Sequence, residues 1–520
     1  MPVLLREEER FADIYASIGR PNWSVARILG LMVLQEMHDF ADQVALDQLS
    51  FDVRWQVALD LEPEDAYLSR RSYVGFRRRL VEMDPEMTRL RSVFEAIGGA
   101  AIDMLGISVK QQRIDSTHVA SNIRTRGRVD LFSRTLLLFM REASRVDAAS
   151  VEQLPSRLRD WVASRTQDDG WADRESDGPR VQTVETLANW LLDVKEQFAD
   201  HAAVRELQSY QLVCRLLDEH CILEQPDDDP DDDDSAPPEA SESGDDVVGE
   251  DKPRLQVRKK PERPGTSLQS PFDPDAGYSA QKGVGYSVHL TETTGNLPEG
   301  KPEIITDFEG TSAGERDFGQ VMPTIGRLEE AGRKPETLYG DGHYTSGGLL
   351  LAAGLRGVVL YCRIGRGRLP ADMVGRESMA FGDNGDLITC PMGHAPTGHT
   401  TRTTSKDRPS KRHAKMDRAT CEGCELLGQC VSRPANSGKG DHHIDIEPDL
   451  RARDEQLAKQ ETEEWKQRYR IRSGIEATNS ELKRKHGLGA LPVRGRARVM
   501  MRVALKLTAC NTKRWLAAVA

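Results

Sequence analysis

With 520 residues, 38% of them hydrophobic and 6% aromatic, the chain has material for roughly two to four structural units, and its net charge of −12 weighs against a nucleic-acid partner. That average hides its parts: residues 227–251 hold thirteen acids and no Lys or Arg, and the rest of the chain is +1. Residues 466–520 hold fourteen Lys or Arg against Glu476 and Glu481, and no apolar run of eighteen residues exists to cross a membrane.

In chain order, the opening MPVLLREEERF lacks the apolar core of a signal peptide, so a cytoplasmic protein is expected. Residues 1–104 read as a helical domain. Ser24 can cap a helix bearing Val25, Ile28, Leu29, Met32 and Val33 at helical spacing. A later helix, around residues 73–83, carries Arg77, Arg78 and Arg79; a solvated basic face and a DNA-docking face both fit it. Residues 105–121 hold a strand, SVKQQRIDSTHV, with Asp115 near its end. Residues 122–224 read as a helical block, clearest at Leu187, Trp190, Leu191, Val194 and Phe198. Residues 225–268, rich in Asp, Pro, Ser and Glu, are expected to be disordered.

Strand-like pieces then return within residues 269–362: YSVHLT, EIITD, TLYGD ending in Asp341, and residues 358–362. A mostly helical stretch over residues 311–331, with Pro323 as a start or kink, and a short helix from Gly347 lie between them. This alternation predicts an α/β domain whose first strand, with Asp115, is separated from the rest by the helical block and the acidic linker. Residues 363–448 are Gly-, Arg- and Cys-rich and read as a loop-heavy insertion. Residues 449–520 form the basic end, helical to about His486.

The most informative stretch is YRIRSGIEATNSELK, residues 469–483. It has no Pro, so one helix can run through it, although Gly474 weakens that helix by about 1 kcal/mol. At about 100° per residue, Tyr469, Arg472, Glu476 and Lys483 fall within a stripe roughly 60° wide. A carboxylate flanked by two cations and a phenol suits a metal ion beside a phosphate. An ordinary charge-paired solvated helix also fits.

The spacing Tyr-x2-Arg-x3-Glu-x6-Lys resembles the signature of bacterial insertion-sequence DDE transposases, closest to the eleven-eighty-two insertion-sequence group. Asp115 in RIDSTHVAS, Asp341 in LYGDGHYTS, the stretch SPFDPDAGYSAQKGVGYSVHL and the helical N-terminus are similar to the same family. The resemblance implies a ribonuclease H-like core interrupted by a helical insertion and by the Cys-rich insertion, with an all-helical DNA-binding N-terminal domain. It implies that Asp115, Asp341 and Glu476 hold two Mg²⁺ or Mn²⁺ ions, and that Tyr469, Arg472 and Lys483 contact DNA. The implied activity is cutting and rejoining of double-stranded DNA at terminal inverted repeats and target, by a homodimer. Hard oxygen ligands suit those ions, and two metals serve both the nucleophile and the leaving oxygen. Asp273, Asp275, Asp307 and Glu309 are rival acids in similar contexts. A domesticated or inactive relative, acting as a DNA-binding regulator or nuclease, is the alternative within the family. A zinc-containing DNA-binding protein is the alternative outside it.

Cys390, Cys421, Cys424 and Cys430 form a second constellation, which fits a tetrahedral structural zinc site, with His394 or His413 as a substitute ligand. A loop with unligated thiols is the bland reading. No Gly-x4-Gly-Lys-Ser/Thr loop is present, so no nucleotide cofactor is expected.

Overall fold

The computed structural model describes residues 1–15, 23–123, 127–166, 180–224, 254–295, 297–367, 370, 372–402, 411–435 and 440–520. The expected acidic linker falls mainly on residues 225–253, outside the described residues.

Among the described residues the architecture is mixed α/β, with a helical N-terminus and one central mixed sheet. Six strands build that sheet: β1 (Gln111–Val119), β2 (Gly277–Ser279), β3 (Gly283–Thr293), β4 (Ile305–Ser312), β5 (Thr337–Gly340) and β6 (Val359–Cys362). β3 pairs antiparallel with β1, with β4 and, at its start, with β2. β1 then pairs parallel with β5, and β5 parallel with β6. Parallel neighbours need crossover connections, supplied here by the helices Val321–Glu330 and Gly347–Leu355. The first of these starts later than the sequence suggests, because residues up to Ser312 extend β4 along β3.

The N-terminal helices and the C-terminal helix Arg496–Val519 share one core with β3 and β4. In the helix Val25–His38, Ser24 Oγ accepts the Arg27 N–H, the cap its sequence implies. The C-terminal helix buries Val503, Leu507 and Cys510 completely. Each such apolar side chain contributes about 1.5–3 kcal/mol. Asn511 on that helix receives the Ile305 N–H and donates to the Ile305 carbonyl, which covers the edge strand β4.

The helical block between β1 and β2 has its own core, in which Leu187, Leu191, Val194 and Phe198 are buried as their spacing predicts. Residues 254–268, expected to be disordered, are ordered instead. Arg254–Val257 pairs antiparallel with Cys221–Glu224, and the Leu268 N–H donates to Glu219. The pairing partner lies upstream of the acidic run, out of reach of a composition argument.

The Cys-rich insertion is more regular than its sequence suggests. It holds a three-stranded antiparallel sheet (Gly398–Arg402, Lys411–Met416, His442–Asp445) and a small hairpin. No described helix is long and apolar enough to cross a membrane.

Candidate active site

β1 lies at the centre of the sheet, between β3 and β5. Its parallel register with β5 pairs Arg113 with Tyr339. Asp115 lies two residues beyond the last paired position on β1, and Asp341 is the first residue after β5 ends at Gly340, close enough for its charge to act on Asp115. Asp341 caps the turn Gly342–Tyr344, accepting the His343 N–H at 2.8 Å, and its side chain is 31% exposed. Burial pushes the Asp115 carboxyl up to about 6, with the charge of Asp341 adding to the rise; the Ser116 N–H, Arg472 and Lys282 oppose it.

The helix Ile475–Lys485 comes to this sheet from the far end of the chain. Asn479 Nδ2 donates to Asp115 at 3.0 Å, and Thr478 Oγ1 donates to buried Glu292 at 2.6 Å. Asn479 Oδ1 is buried beside Asp115 with no partner. Glu476, one turn before Asn479, is 66% exposed and sits 3.2 Å from Arg472 Nη2. The Tyr469 hydroxyl donates to the Gly340 carbonyl at 3.1 Å, immediately before Asp341, and its ring stacks on Trp465. Lys483 is exposed. Partial burial and the neighbouring Lys282 lower its pKa, while Asp115 pulls it up.

The stretch expected as one helix is broken. An α-helix ends at Tyr469, a 3₁₀ turn spans Arg470–Gly474, and a new α-helix starts at Ile475. The buried Arg113 guanidinium occupies the joint, donating to the Ile471 carbonyl at 2.9 Å and to Glu292 at 2.7 Å. A Cβ on Gly474 would meet Arg113 Nη1 at 2.0 Å, so glycine is what lets the guanidinium approach. Despite the break, Arg472 still reaches Glu476 and Tyr469 still reaches the end of β5.

The rival acids have other partners. Asp307 receives Arg91 and Arg327 at 2.8 Å each, and Glu309 faces the same two arginines. Asp273 is fully buried and accepts the Tyr286 hydroxyl. Sequence reasoning missed Asp317, which accepts from Ser116 Oγ at 3.5 Å and whose carboxyl is raised by burial and then by Asp341. It also missed the role of Asn479 and Lys282. None of these sits in a distinctive spacing; their relation to Asp115 exists only in the fold. Tyr344 packs, buried against His289 with its hydroxyl 2.8 Å from Nδ1, while His343 is exposed beside Asp341.

The basic cluster of the N-terminal domain is partly structural. Arg77 pairs with Asp42 and lies over the Tyr73 ring, and Arg79 lies over Tyr15. Arg78 is exposed and faces Glu82 at 3.4 Å. In the Cys-rich insertion, Cys390, Cys421, Cys424 and Cys430 come together around one small cavity.

Residues 389–516 match the family model described as a transposase DDE domain, and residues 3–79 match one described as a transposase domain (DUF772). The first match contains Tyr469, Arg472, Glu476, Lys483 and the four cysteines; Asp115 and Asp341 lie outside both. No curated protein and no solved structure matches the chain. Two transposase models thus fall at opposite ends of one chain, and together they support an insertion-sequence transposase.

Proposed function

We infer that the chain cuts and rejoins DNA strands at transposon ends, with Asp115, Asp341 and Glu476 as its metal-binding acids. The observation that carries this reading is that Asp115 on β1 lies within electrostatic reach of Asp341, just past the end of neighbouring β5, and is held by Asn479 from the helix that bears Glu476. The strand order supports a ribonuclease H-like core: three antiparallel strands and two parallel ones on the other side of β1. Similarity of that kind describes a fold alone, so the function rests on the site and the family matches.

The donor set fits Mg²⁺ or Mn²⁺. Two adjacent carboxyls, one of them strained by burial, and an orphaned Asn479 oxygen offer hard ligands with an unmet need for positive charge. Bound there, such ions supply Lewis-acid activation of the attacking oxygen and stabilisation of the leaving one. Arg472, Lys483 and Lys282 line the approach as cations for backbone phosphates, and Tyr469 anchors its helix to the end of β5. A phosphate that takes Arg472 releases Glu476 from its ion pair, so substrate and third acid arrive together. A homodimer that holds two ends, with the N-terminal helices docking the inverted repeats, completes the proposal.

The test is strand cleavage of DNA carrying the element's own ends, with Mg²⁺. Asp115→Ala, Asp341→Ala and Glu476→Ala are each expected to cut about a thousandfold more slowly, equivalent to about 4 kcal/mol of transition-state stabilisation. Asp275→Ala is expected to cut like the wild type. Undiminished cleavage by any of the first three sinks that residue's assignment.

A further inference from the structure

The Cys-rich insertion has a small core of its own, including Met379, Leu387, Ala414, Met416, Val431 and Ile444. Units this small commonly need a cross-link or a metal to hold their shape. Its gathering of sulfur is unusual for this chain: four cysteines line one cavity of about 30 Å³, and none forms a disulfide.

They come from two separated segments. Cys390 opens a tight turn in which its N–H donates to the His394 carbonyl and its carbonyl accepts from Gly393, both at 2.9 Å. Cys421 lies in the short helix Arg418–Glu422, Cys424 follows it, and the Cys430 N–H donates to the Leu426 carbonyl at 2.8 Å. Two sulfurs already accept backbone hydrogen bonds. The Leu426 N–H donates to Cys424 Sγ and the Ser432 N–H to Cys430 Sγ, each at 3.4 Å and each from two residues downstream. The substitute ligand His413 is engaged elsewhere, with Nδ1 2.7 Å from Asp445.

No three of these sulfurs lie mutually within 4.8 Å. Around zinc, with Zn–S about 2.3 Å, tetrahedral sulfurs stand about 3.8 Å apart. The set is gathered but open, and an ion would draw it closed. A tighter group of potential ligands, Glu481, His486 and Cys510, is already answered by cations, since Arg514 lies 2.8 Å from Glu481.

We propose that Cys390, Cys421, Cys424 and Cys430 bind one structural Zn²⁺ as a closed four-thiolate site that anchors the helices leading to Glu476. Cys430 bridges to Val374, and two residues on, the Arg376 guanidinium grips Asp454 at 2.8 Å, with both side chains buried. Asp454 belongs to the helix Pro448–Lys459, which precedes the helix of Tyr469. The ion would therefore hold the turn at Cys390 against the segment around Cys430 whose isolated bridge to Val374 leads into Arg376. This assignment stands whether or not the chain is a transposase.

The full-length protein, purified without chelators, is expected to contain about one zinc per chain by elemental analysis. The double variant Cys424→Ser/Cys430→Ser is expected to hold less than about a tenth of that, whereas Cys214→Ser and His394→Ala retain it. A second measurement covers misfolding of the double variant: Co²⁺ exchanged into the wild type should give thiolate-to-cobalt charge-transfer bands and tetrahedral visible bands. Trace zinc in the wild type, iron in its place, zinc retained by the double variant, or a cobalt spectrum without thiolate bands would each overturn the site.

Discussion

Asp115 is held in a conflict between its neighbours. Burial raises its carboxyl to about 6, against an ordinary value of 3.8. A folded-state pKa above the unfolded one means that the protonated form stabilises the fold. That contribution is full below about pH 3.8 and lost as pH rises through about 6. Above pH 6 the metal-free protein therefore bears a penalty of at most about 3 kcal/mol. Asp115→Asn is expected to relieve it: urea unfolding in a chelator should show the variant more stable at pH 8 and equal to wild type below pH 4. A variant no more stable at pH 8 would refute the burial argument. From sequence, Asp115, Asp341, Asp307 and Glu309 all read as acids near strand ends; in the fold only Asp341 follows a strand end, and the other three lie within strands. What sets Asp307 and Glu309 apart is Arg91 and Arg327, whose chain positions give no hint that they converge on these two acids.

The joint between the two helices of the basic end shows how a local rule reverses in context. On propensity alone, Gly474→Ala should stabilise a helix by about 1 kcal/mol. In the fold, the added methyl would displace the Arg113 guanidinium, whose side chain is 5% exposed and which is shared among Glu292, Glu303 and the Ile471 carbonyl. Disrupting a buried pair costs roughly 3–5 kcal/mol, so the variant is expected to lose about 2–4 kcal/mol overall. Thermal or urea unfolding measures it, and a stabilised Gly474→Ala variant would refute the close-approach reading. Several strands and helices were legible, because apolar periodicity is local, but the C-terminal helix Arg496–Val519 and the strands of the Cys-rich insertion were not. The 3₁₀ break was not, because its cause is an arginine on β1 more than three hundred residues upstream. The order of strands in the sheet was likewise invisible, since pairing is decided by partners far apart in the chain.

At the scale of the molecule, the −12 of the whole chain is an average over an acidic run and a positive remainder. The run at residues 227–251 leaves and re-enters through paired strands, with Glu224 opposite Arg254. Its removal therefore leaves the fold's entry and exit side by side. Deleting residues 227–251 brings the chain to +1 and is expected to raise affinity for random DNA severalfold at low salt, with a steeper salt dependence. Fluorescence anisotropy with non-specific duplexes measures this, and an unchanged affinity would make the run an inert spacer. Composition alone made that run visible; the paired strands that frame it needed the fold. The bond from Asn479 to Asp115 spans 364 residues of chain. At synthesis rates of about 5–20 residues per second, Asp115 emerges roughly 20–70 s before the side chain it awaits. A nascent chain on the ribosome thus carries Asp115 for most of its translation without the helix that bears Asn479, and premature termination before that helix yields a product lacking both Asn479 and Glu476.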